Sequence, residues 1–427
     1  MKNINLVMLC IVAFMAKISA QEFSSVQSNR LITIDDAIEA VLTNNNSIKA
    51  DSLEIAVQSG NLLQARLPEN PAVVLESEEI GFLNGKVKDG SALSIDISQS
   101  FQPIARWKRT DLGKSEVFIA RVNFDNQKRD LIAETKARFI SALALQKQKV
   151  LTDSLIGISQ RAHQVSVSQA NAGKVSISDT LKTSTELSLA QIKRDRIAQI
   201  LENSFQDLSA MWGSGEVDFF CLGSELDSIA PLPDIQAMLS RLSDSPQIKL
   251  AAAELKKSHS ELALEKALRV PAITAMAGVG MVSGADELTP RASLSLSIPF
   301  LNWNQGAIQA AKARVKQAEY KQETIKVQTQ KDLLNVYRGA SQTLQEVHIL
   351  RQRILPQLKE SFEASYRAYI SGKTGVLSLI DAQQSLYEAS MNTIEISRDL
   401  LLAIIELERI STINEPLGKP SRRSSHE

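Results

Sequence analysis

Aromatic residues are scarce in this chain of 427 residues, at 5% of the total, and neither sign of charge is in excess. Lys and Arg together number 48, as do Asp and Glu, so the formal net charge is zero. A protein that binds nucleic acid needs a surplus of cationic side chains on one face. The balance argues against a nucleic-acid-binding protein, and the scarcity of aromatics does not favour a conventional globular core.

Cysteine is almost absent, with Cys10 and Cys221 as the only two. Cys10 lies inside an N-terminal apolar run, so the mature chain would keep one thiol and could form no internal disulfide. No cysteine follows directly after that run, which argues against an N-terminal lipid anchor.

Long apolar runs are also missing, apart from "LVMLCIVAFMA" at 6–16. This run follows Lys2, precedes the small-residue end "ISA" at 18–20, and is too short to cross a bilayer as a helix. The pattern predicts a signal peptide over 1–20 and therefore export. At the other end, the polar residues 413–427 are predicted to form a disordered tail.

Groups for catalysis are missing as well. The sequence shows no paired Ser and His, no phosphate-binding loop and no cluster of metal ligands, and its four histidines are scattered (His163, His259, His348 and His426). We therefore expect no catalytic residue, no cofactor, no metal site and no enzymatic activity.

What the chain does contain is an internal duplication. Residues 47–73 match 247–273 at an offset of 200, and 94–101 match 293–300 at an offset of 199. "AGKVSI" (172–177) matches "SGKTGV" (371–376) at the same offset of 199. A nearly constant offset indicates a repeated fold. It predicts a first repeat over 21–211, a linker or equatorial segment over 212–233, and a second repeat over 234–412.

Each repeat is predicted to contain the same series of elements. They are a helix (47–67 and 247–268), a β-hairpin (72–101 and 272–299), a long helix (107–171 and 304–370) and a return helix (178–211 and 376–411). The long helices would be rods of roughly 95 Å. Apolar residues at intervals of 4 and 3 indicate coiled-coil packing: Leu333, Tyr337, Ala340, Leu344 and Val347. Pro356 is expected to kink or break the second rod.

The strands alternate between apolar and polar residues. In "ASLSLSIPF", Leu294, Leu296 and Ile298 would lie on one face and the intervening serines on the other. Leu93, Ile95 and Ile97 show the same spacing. A small soluble sheet packed on a helix would also explain one such hairpin. Four strands of about 9–11 residues have the length of tilted membrane strands, but four are too few to close a barrel. We therefore expect several copies to share one barrel, with these six side chains facing lipid.

Four motifs resemble the TolC-like outer-membrane efflux channels. They are "ITIDDAIEAVLTNNNSIKA" (32–50), "ARLPENPAV" (65–73), "SLSLSIPFLNWNQG" (293–306) and "YISGKTGVLSLIDAQQSLYEA" (369–389), and "IPFLNWNQG" is most similar to the cation-efflux branch. The resemblance implies a mostly α fold with a small β part: a homotrimer whose twelve-stranded transmembrane barrel continues into a periplasmic α-barrel of long helices.

The resemblance also implies a role and partners. The chain would be the passive exit duct of a tripartite efflux pump in the outer membrane, for metal ions or small toxic molecules. A periplasmic adaptor would couple it to an inner-membrane transporter. A duct for protein secretion, or a soluble periplasmic coiled-coil scaffold, remains as an alternative.

Candidate functional residues cluster around the two Gly-Lys turns. Gly173, Gly372 and Tyr369 would form the tips that contact the adaptor, although the first repeat has Gln169 or Ala170 where the second has Tyr369. The resemblance places the pore constriction near Asp179 and Ser378, and a ring of Asp179 carboxylates would attract cations. An Asp at the start of a helix is also an ordinary stabilising choice. Lys174, Lys373 and Asp381 are candidates for bridges that hold the mouth closed.

Overall fold

The computed structural model describes residues 31–78, 82–83, 86–87, 91–223, 231–283 and 287–411. The predicted signal peptide (1–20) and tail (413–427) lie outside these residues. The described chain is mostly helical, is duplicated, and contributes one four-stranded sheet. The predicted fold class is confirmed.

The first repeat contains one very long helix. Its elements are β1 (Leu31–Ile32), α1 (Ile34–Asn44), α2 (Asn46–Arg66), β2 (Ala72–Glu78), β3 (Phe82–Leu83), β4 (Lys86–Val87), β5 (Ala92–Phe101), α3 (Pro103–Asn171) and α4 (Ile177–Ala210). With 69 residues, α3 is about 100 Å long, and α4 covers about half of that length.

The second repeat follows the same order after the short strand β6 (Cys221–Leu222). Its elements are α5 (Ile235–Ser240), a 3₁₀ turn (Leu242–Asp244), α6 (Pro246–Ala267), β7 (Ile273–Val282), β8 (Leu288–Leu296), α7 (Gln305–Ile349), α8 (Leu355–Ile370) and α9 (Val376–Ser411). Equivalent caps begin the repeats. The Thr33 side chain accepts from the Asp36 amide at the start of α1, and Asp234 accepts from the Ala237 amide at the start of α5.

The second long helix, predicted as one element over 304–370, is interrupted. Leu350–Ile354 forms a π-helical turn between α7 and α8. Pro356 follows two residues after this turn, and proline cannot donate to the carbonyl four residues earlier and also crowds it. A wider turn accommodates the proline while the rod continues. The expected interruption is present, but as a change of helical pitch.

The four-stranded sheet has the order β2-β5-β7-β8, with all neighbours antiparallel. Its central pair, β5 and β7, joins the two repeats. β5 spans 92–101 as predicted, whereas β8 runs from Leu288 to Leu296 and not over 292–299. β8 ends there because its partner β7 begins at Ile273, just after Pro271, and Pro299 has no N–H to donate. Ile298 therefore lies beyond the strand, which corrects its predicted place within it.

The helices beside the sheet follow the order of the strands. α2 packs on α3, α3 on α6, and α6 on α7. The chain runs directly from α2 into β2, from β5 into α3, from α6 into β7 and from β8 into α7. Each strand is therefore joined to the helix that has the same position in the helical layer as the strand has in the sheet. Gly113 of α3 allows close approach, because a Cβ there would lie 3.1 Å from Cδ1 of Leu62 in α2. The sheet and the helical layer are therefore one continuous wall.

The segment predicted as a linker (212–233) contributes to the main hydrophobic core. Trp212, Phe219 and Leu222 are buried against Phe139 at the middle of α3. β6 also pairs in parallel with β1. Its described part is therefore a packed equatorial layer between the repeats.

Below this layer, α9 packs on both α3 and α7. Leu333, Ala340 and Val347 are buried there, with Tyr337 and Leu344 packed beside them, so the predicted coiled-coil face is confirmed.

Lys136 and Glu408 form a largely buried ion pair at 2.7 Å. The pKa of Arg409 is raised, first by its hydrogen bonds to Glu406 and then by Asp130 of α3, so Arg409 stays charged. These pairs attach the second repeat to the first.

Candidate functional site

The two faces of the sheet differ sharply in chemistry. Register places apolar residues of neighbouring strands opposite one another: Val73 with Ile97, Leu75 with Ile95, Ile95 with Val279, Leu93 with Met281, Ala275 with Leu294, and Ile273 with Leu296. The other face carries Glu76, Ser94, Asp96, Ser98, Thr274, Thr289, Arg291, Ser293 and Ser295. The alternation seen in the sequence therefore runs across all four strands.

The apolar face is uncovered in the single chain. Five of the six side chains predicted to face lipid lie in strands, and they are 51–74% exposed (Leu93, Ile95, Ile97, Leu294 and Leu296). Ile298, beyond the strand end, is also exposed. A continuous apolar surface of this kind indicates contact with a partner or with lipid. The sheet thus has an exposed apolar face and an opposite face that carries its serines.

At the far end of the long helices, the two turns have nearly identical backbones. Gly173 and Gly372 have φ angles of 69° and 70°, in the left-handed region that favours glycine. The Lys174 amide donates to the Gln169 carbonyl at 2.8 Å, and the Lys373 amide donates to the Ala368 carbonyl at 2.9 Å. Each turn is a Schellman motif, which satisfies the last carbonyls of the incoming helix.

We predict that Gly372→Ala loosens its tip while Gly375→Ala does not. A Cβ in the left-handed region costs about 1–2 kcal/mol. Gly375 is in the same turn without a positive φ, and a Cβ there meets open space. Hydrogen exchange of the tip amides should accelerate about 5–30-fold in Gly372→Ala only. Equal exchange rates in the two variants would show that the φ angle of Gly372 is not a constraint.

The charged residues predicted at the mouth are accessible. Asp179 lies in the first turn of α4, where its carboxylate is 3.6 Å from Nζ of Lys182. Lys174, Lys373, Ser378 and Asp381 are exposed. Among the described residues, neither these two lysines nor Asp381 forms an ion pair, so bridges inside one chain are not present. A role between chains stays a prediction.

Tyr369 was predicted as an adaptor contact, but its side chain is only 1% exposed. It packs in the tip cluster with Ala162, Val376 and Leu379. The aromatic ring of Tyr369 is covered because the second tip packs against α3 of the first repeat. In the first turn the equivalent of Tyr369 is Ala170, and the preceding Gln169 donates to the Tyr369 carbonyl at 3.4 Å. Tyr369 therefore holds the two tips together and does not present an external surface.

Polar contacts that the sequence did not reveal continue along the same α3–α9 interface. Thr152 and Tyr387 share a hydrogen bond at 3.2 Å, and Gln383 donates to Ser159 at 2.7 Å. These residues lie on different repeats, so no local spacing pattern could pair them. Together with the Tyr369 cluster they set how the two tips sit on each other.

Across the described ranges, no group of three or more His, Cys, Asp and Glu side chains is arranged to hold a metal ion. None of the helices in the described part of the chain combines the length and the apolar character needed to cross a bilayer.

Comparison with known families identifies the class. Residues 239–411, nearly all of the second repeat, match the family "Outer membrane efflux protein". The second repeat is an outer membrane efflux domain of the TolC-like type. The duplication accounts for the first half, which repeats the fold of the matched half.

This efflux protein is similar in sequence to the cobalt-zinc-cadmium resistance protein CzcC of Cupriavidus metallidurans. They are 22% identical over 380 residues, covering 89% of this chain and 90% of CzcC. In structure it is similar to CusC (TM-score 0.77, 14% identity, 88% and 91% of the two chains), which was solved to follow folding and transmembrane channel formation. It is also similar to a membrane protein of Pseudomonas aeruginosa (TM-score 0.75, 16% identity, 91% and 93%).

These likenesses fix the place and class of this efflux protein. It is an outer-membrane channel component that extends into the periplasm, which decides against the soluble scaffold. Its relatives are channel proteins rather than enzymes.

Proposed function

We propose that three copies of the chain close one channel, which serves as the passive outer-membrane exit of a tripartite pump for metal cations. The observation that carries this proposal is the open, one-sided sheet. β2 pairs only with β5, and β8 only with β7, so both edges of the described sheet keep unpaired backbone groups. Unpaired N–H and C=O groups are too costly to leave in hydrocarbon. Further copies supply the missing neighbours.

The helical layer supports the same closure. Its outermost helices, α2 and α7, carry exposed apolar residues: Leu53, Val57 and Leu63 on α2, and Tyr320 and Val327 on α7. A head-to-tail contact of α7 with α2 of the next copy would bury both sets, and such contacts close into rings. β8 leads into α7, and α2 leads into β2. The same rotation between neighbouring copies would therefore pair β8 with β2 and pack α7 on α2.

The closed ring assigns the two faces of the sheet. The apolar face, including Leu93, Ile95, Ile97, Leu294 and Leu296, would contact lipid, and the serine face would line a water-filled lumen. The tips around Gly173 and Gly372 would form the periplasmic mouth and receive the adaptor. An inner-membrane transporter would deliver cargo through that adaptor.

Similarity to CzcC over 89% of the chain supports divalent metal cations as the cargo. A duct does not have to bind what passes through it, so no resident metal ligands are needed. A ring of Asp179 carboxylates at the mouth would favour cations electrostatically.

Deletion of the gene for this chain should sensitise its host to cobalt, zinc or cadmium and leave tolerance of uncharged dyes unchanged. Wild-type chain supplied in trans should restore growth on metal, and Leu294→Lys, which disturbs the lipid-facing surface, should not. Ser293→Asn, one residue away on the serine face, leaves the charge of the lumen face unchanged and is the control. Sensitivity to dyes with unchanged metal tolerance would reject metal cations as the cargo.

We predict that Asp179→Asn lowers the preference of the channel for cations. Loss of one carboxylate per copy at the mouth should reduce the ratio of cation to anion permeability about twofold. Reversal potentials in planar bilayers under a KCl gradient measure this ratio. Asp195→Asn, which removes an exposed carboxylate higher on α4, is the control. Equal reversal potentials in Asp179→Asn and wild type would remove Asp179 from the constriction.

A further inference from the structure

Arg291 reaches across the polar face of the sheet. It lies on the edge strand β8, yet its Nη2 donates to Oε2 of Glu76 on the opposite edge strand β2 at 3.1 Å. Its Nη1 lies 3.9 Å from Oδ2 of Asp96 on β5. One side chain therefore spans β7 and meets carboxylates of the two strands beyond it.

Two glycines of β7 make room for this crossing. Register pairs Gly278 with Arg291 on one side and with Asp96 on the other. A Cβ at Gly278 would collide with Asp96 and with the backbone of Ile95, and a Cβ at Gly280 would lie 3.2 Å from Cδ of Arg291. A larger residue at Gly278 would therefore displace Asp96, and one at Gly280 would press on the stem of the Arg291 side chain. The glycines and the arginine thus form one built feature.

Asp96 is the buried member of this cluster. Its side chain has no exposed surface, while those of Arg291 and Glu76 are 35% and 42% exposed. Oδ2 accepts from Ser94 at 2.9 Å, and Oδ1 finds no hydrogen-bond donor within the described part of the chain. A buried carboxylate of this kind is costly unless a cation accompanies it. Arg291 is the cation nearest to it.

The described residues of this face carry one cation, Arg291, against three carboxylates, those of Glu76, Glu78 and Asp96. Arg291 covers the buried carboxylate and pairs with an exposed one. Without Arg291, both carboxylates would face the lumen unpaired.

We propose that Arg291 sets the ion selectivity of the strand barrel by neutralising and covering Asp96. This rests on the proposed function, in which the polar face lines an open lumen shared by three copies. The barrel lumen would then be a second selectivity element, separate from the mouth. Arg291 limits how strongly the lumen attracts cations, and Gly278 and Gly280 position it.

Arg291→Gln should raise the cation-to-anion permeability ratio about twofold, since each copy loses the one cation among the described residues of this face. The double variant Arg291→Gln with Asp96→Asn should return close to the wild-type ratio, because it restores the charge balance. Arg291→Lys should also stay near wild type, because it keeps the charge. Reversal potentials under a KCl gradient measure all of these ratios.

An Arg291→Gln channel that conducts with the wild-type ratio would overturn the inference and leave the proposed function intact. Absence of any conductance from the wild-type chain would instead reject the proposed function. If Arg291→Gln does not insert, Glu76→Gln provides the test, since Glu76 is partly exposed and its loss should lower the ratio. An unchanged ratio in Glu76→Gln channels would then overturn the inference. Lys149→Gln, which removes an exposed cation from the middle of α3, controls for charge changes away from the strand barrel.

Discussion

Leu294→Lys should abolish assembly of the channel in the outer membrane, while Ser293→Lys should leave assembly intact. The two residues are neighbours on the same edge strand and are both exposed in the single chain, but they lie on opposite faces. A lysine on the lipid side of a barrel costs about 2–4 kcal/mol near the bilayer midplane and less near its interfaces. Because the proposed channel repeats the substitution in every copy, the cost is multiplied in the assembly.

The amount of heat-resistant oligomer in outer-membrane fractions measures this effect directly. Wild type and Ser293→Lys should give similar amounts, and Leu294→Lys should give little or none. The reverse order would assign the serine face to lipid and would invert the barrel. Equal amounts in both lysine variants would show that the strand sheet does not enter the bilayer.

Phe139→Ala should cost about 3–5 kcal/mol of unfolding free energy, the range for an aromatic ring removed from a packed core. Phe139 has no exposed surface and lies at the centre of the equatorial layer, where α3 meets Trp212 and Phe219. Urea unfolding followed by the helical circular-dichroism signal measures the loss. Phe118→Ala is the matched control, because Phe118 is half exposed on the same helix. It should cost about 1 kcal/mol or less.

A similar stability for both phenylalanine variants would contradict the importance of the equatorial layer. In that case the long helices would be held mainly by their coiled-coil contacts. The result matters for function, because this layer fixes α3 and α9 relative to each other. The two tips, with Tyr369 packed between them, lie at the ends of those helices.

Local patterns predicted much of the fold. The alternation of 93–97 predicted β5, whose bounds of 92–101 were correct, and the Gly-Lys dipeptides placed both tips. Gly173 and Gly372 could be recognised from the sequence because the turn itself requires a positive φ, which glycine adopts without steric cost. The duplication supported the prediction of each element, since each weak pattern occurred in both repeats.

The errors arose where distant residues decide the structure. The start of β8 was predicted four residues late because Pro290 resembles part of a turn, yet proline is tolerated on an edge strand. The end of β8 depends on where β7 begins, which the spacing within β8 does not show. Tyr369 was predicted as an adaptor contact because it is near a tip, but in the single chain its side chain is buried against α3 of the other repeat.

The charge cluster on the polar face was missed for the same reason. Arg291 stood outside the predicted strand, so its side chain was not assigned to a face. The alternation of Gly278 and Gly280 with Val279 was the available signal. A glycine inside a strand often marks a place where another group approaches the backbone closely, and at Gly280 that group is the Arg291 side chain.

In the proposed channel, strands from sister copies close the described sheet. The molar mass of the purified mature protein in mild detergent, corrected for bound detergent, measures this closure. We expect a single species of three chains that loses solubility when detergent is removed. A monodisperse monomer that remains soluble without detergent would contradict the closure.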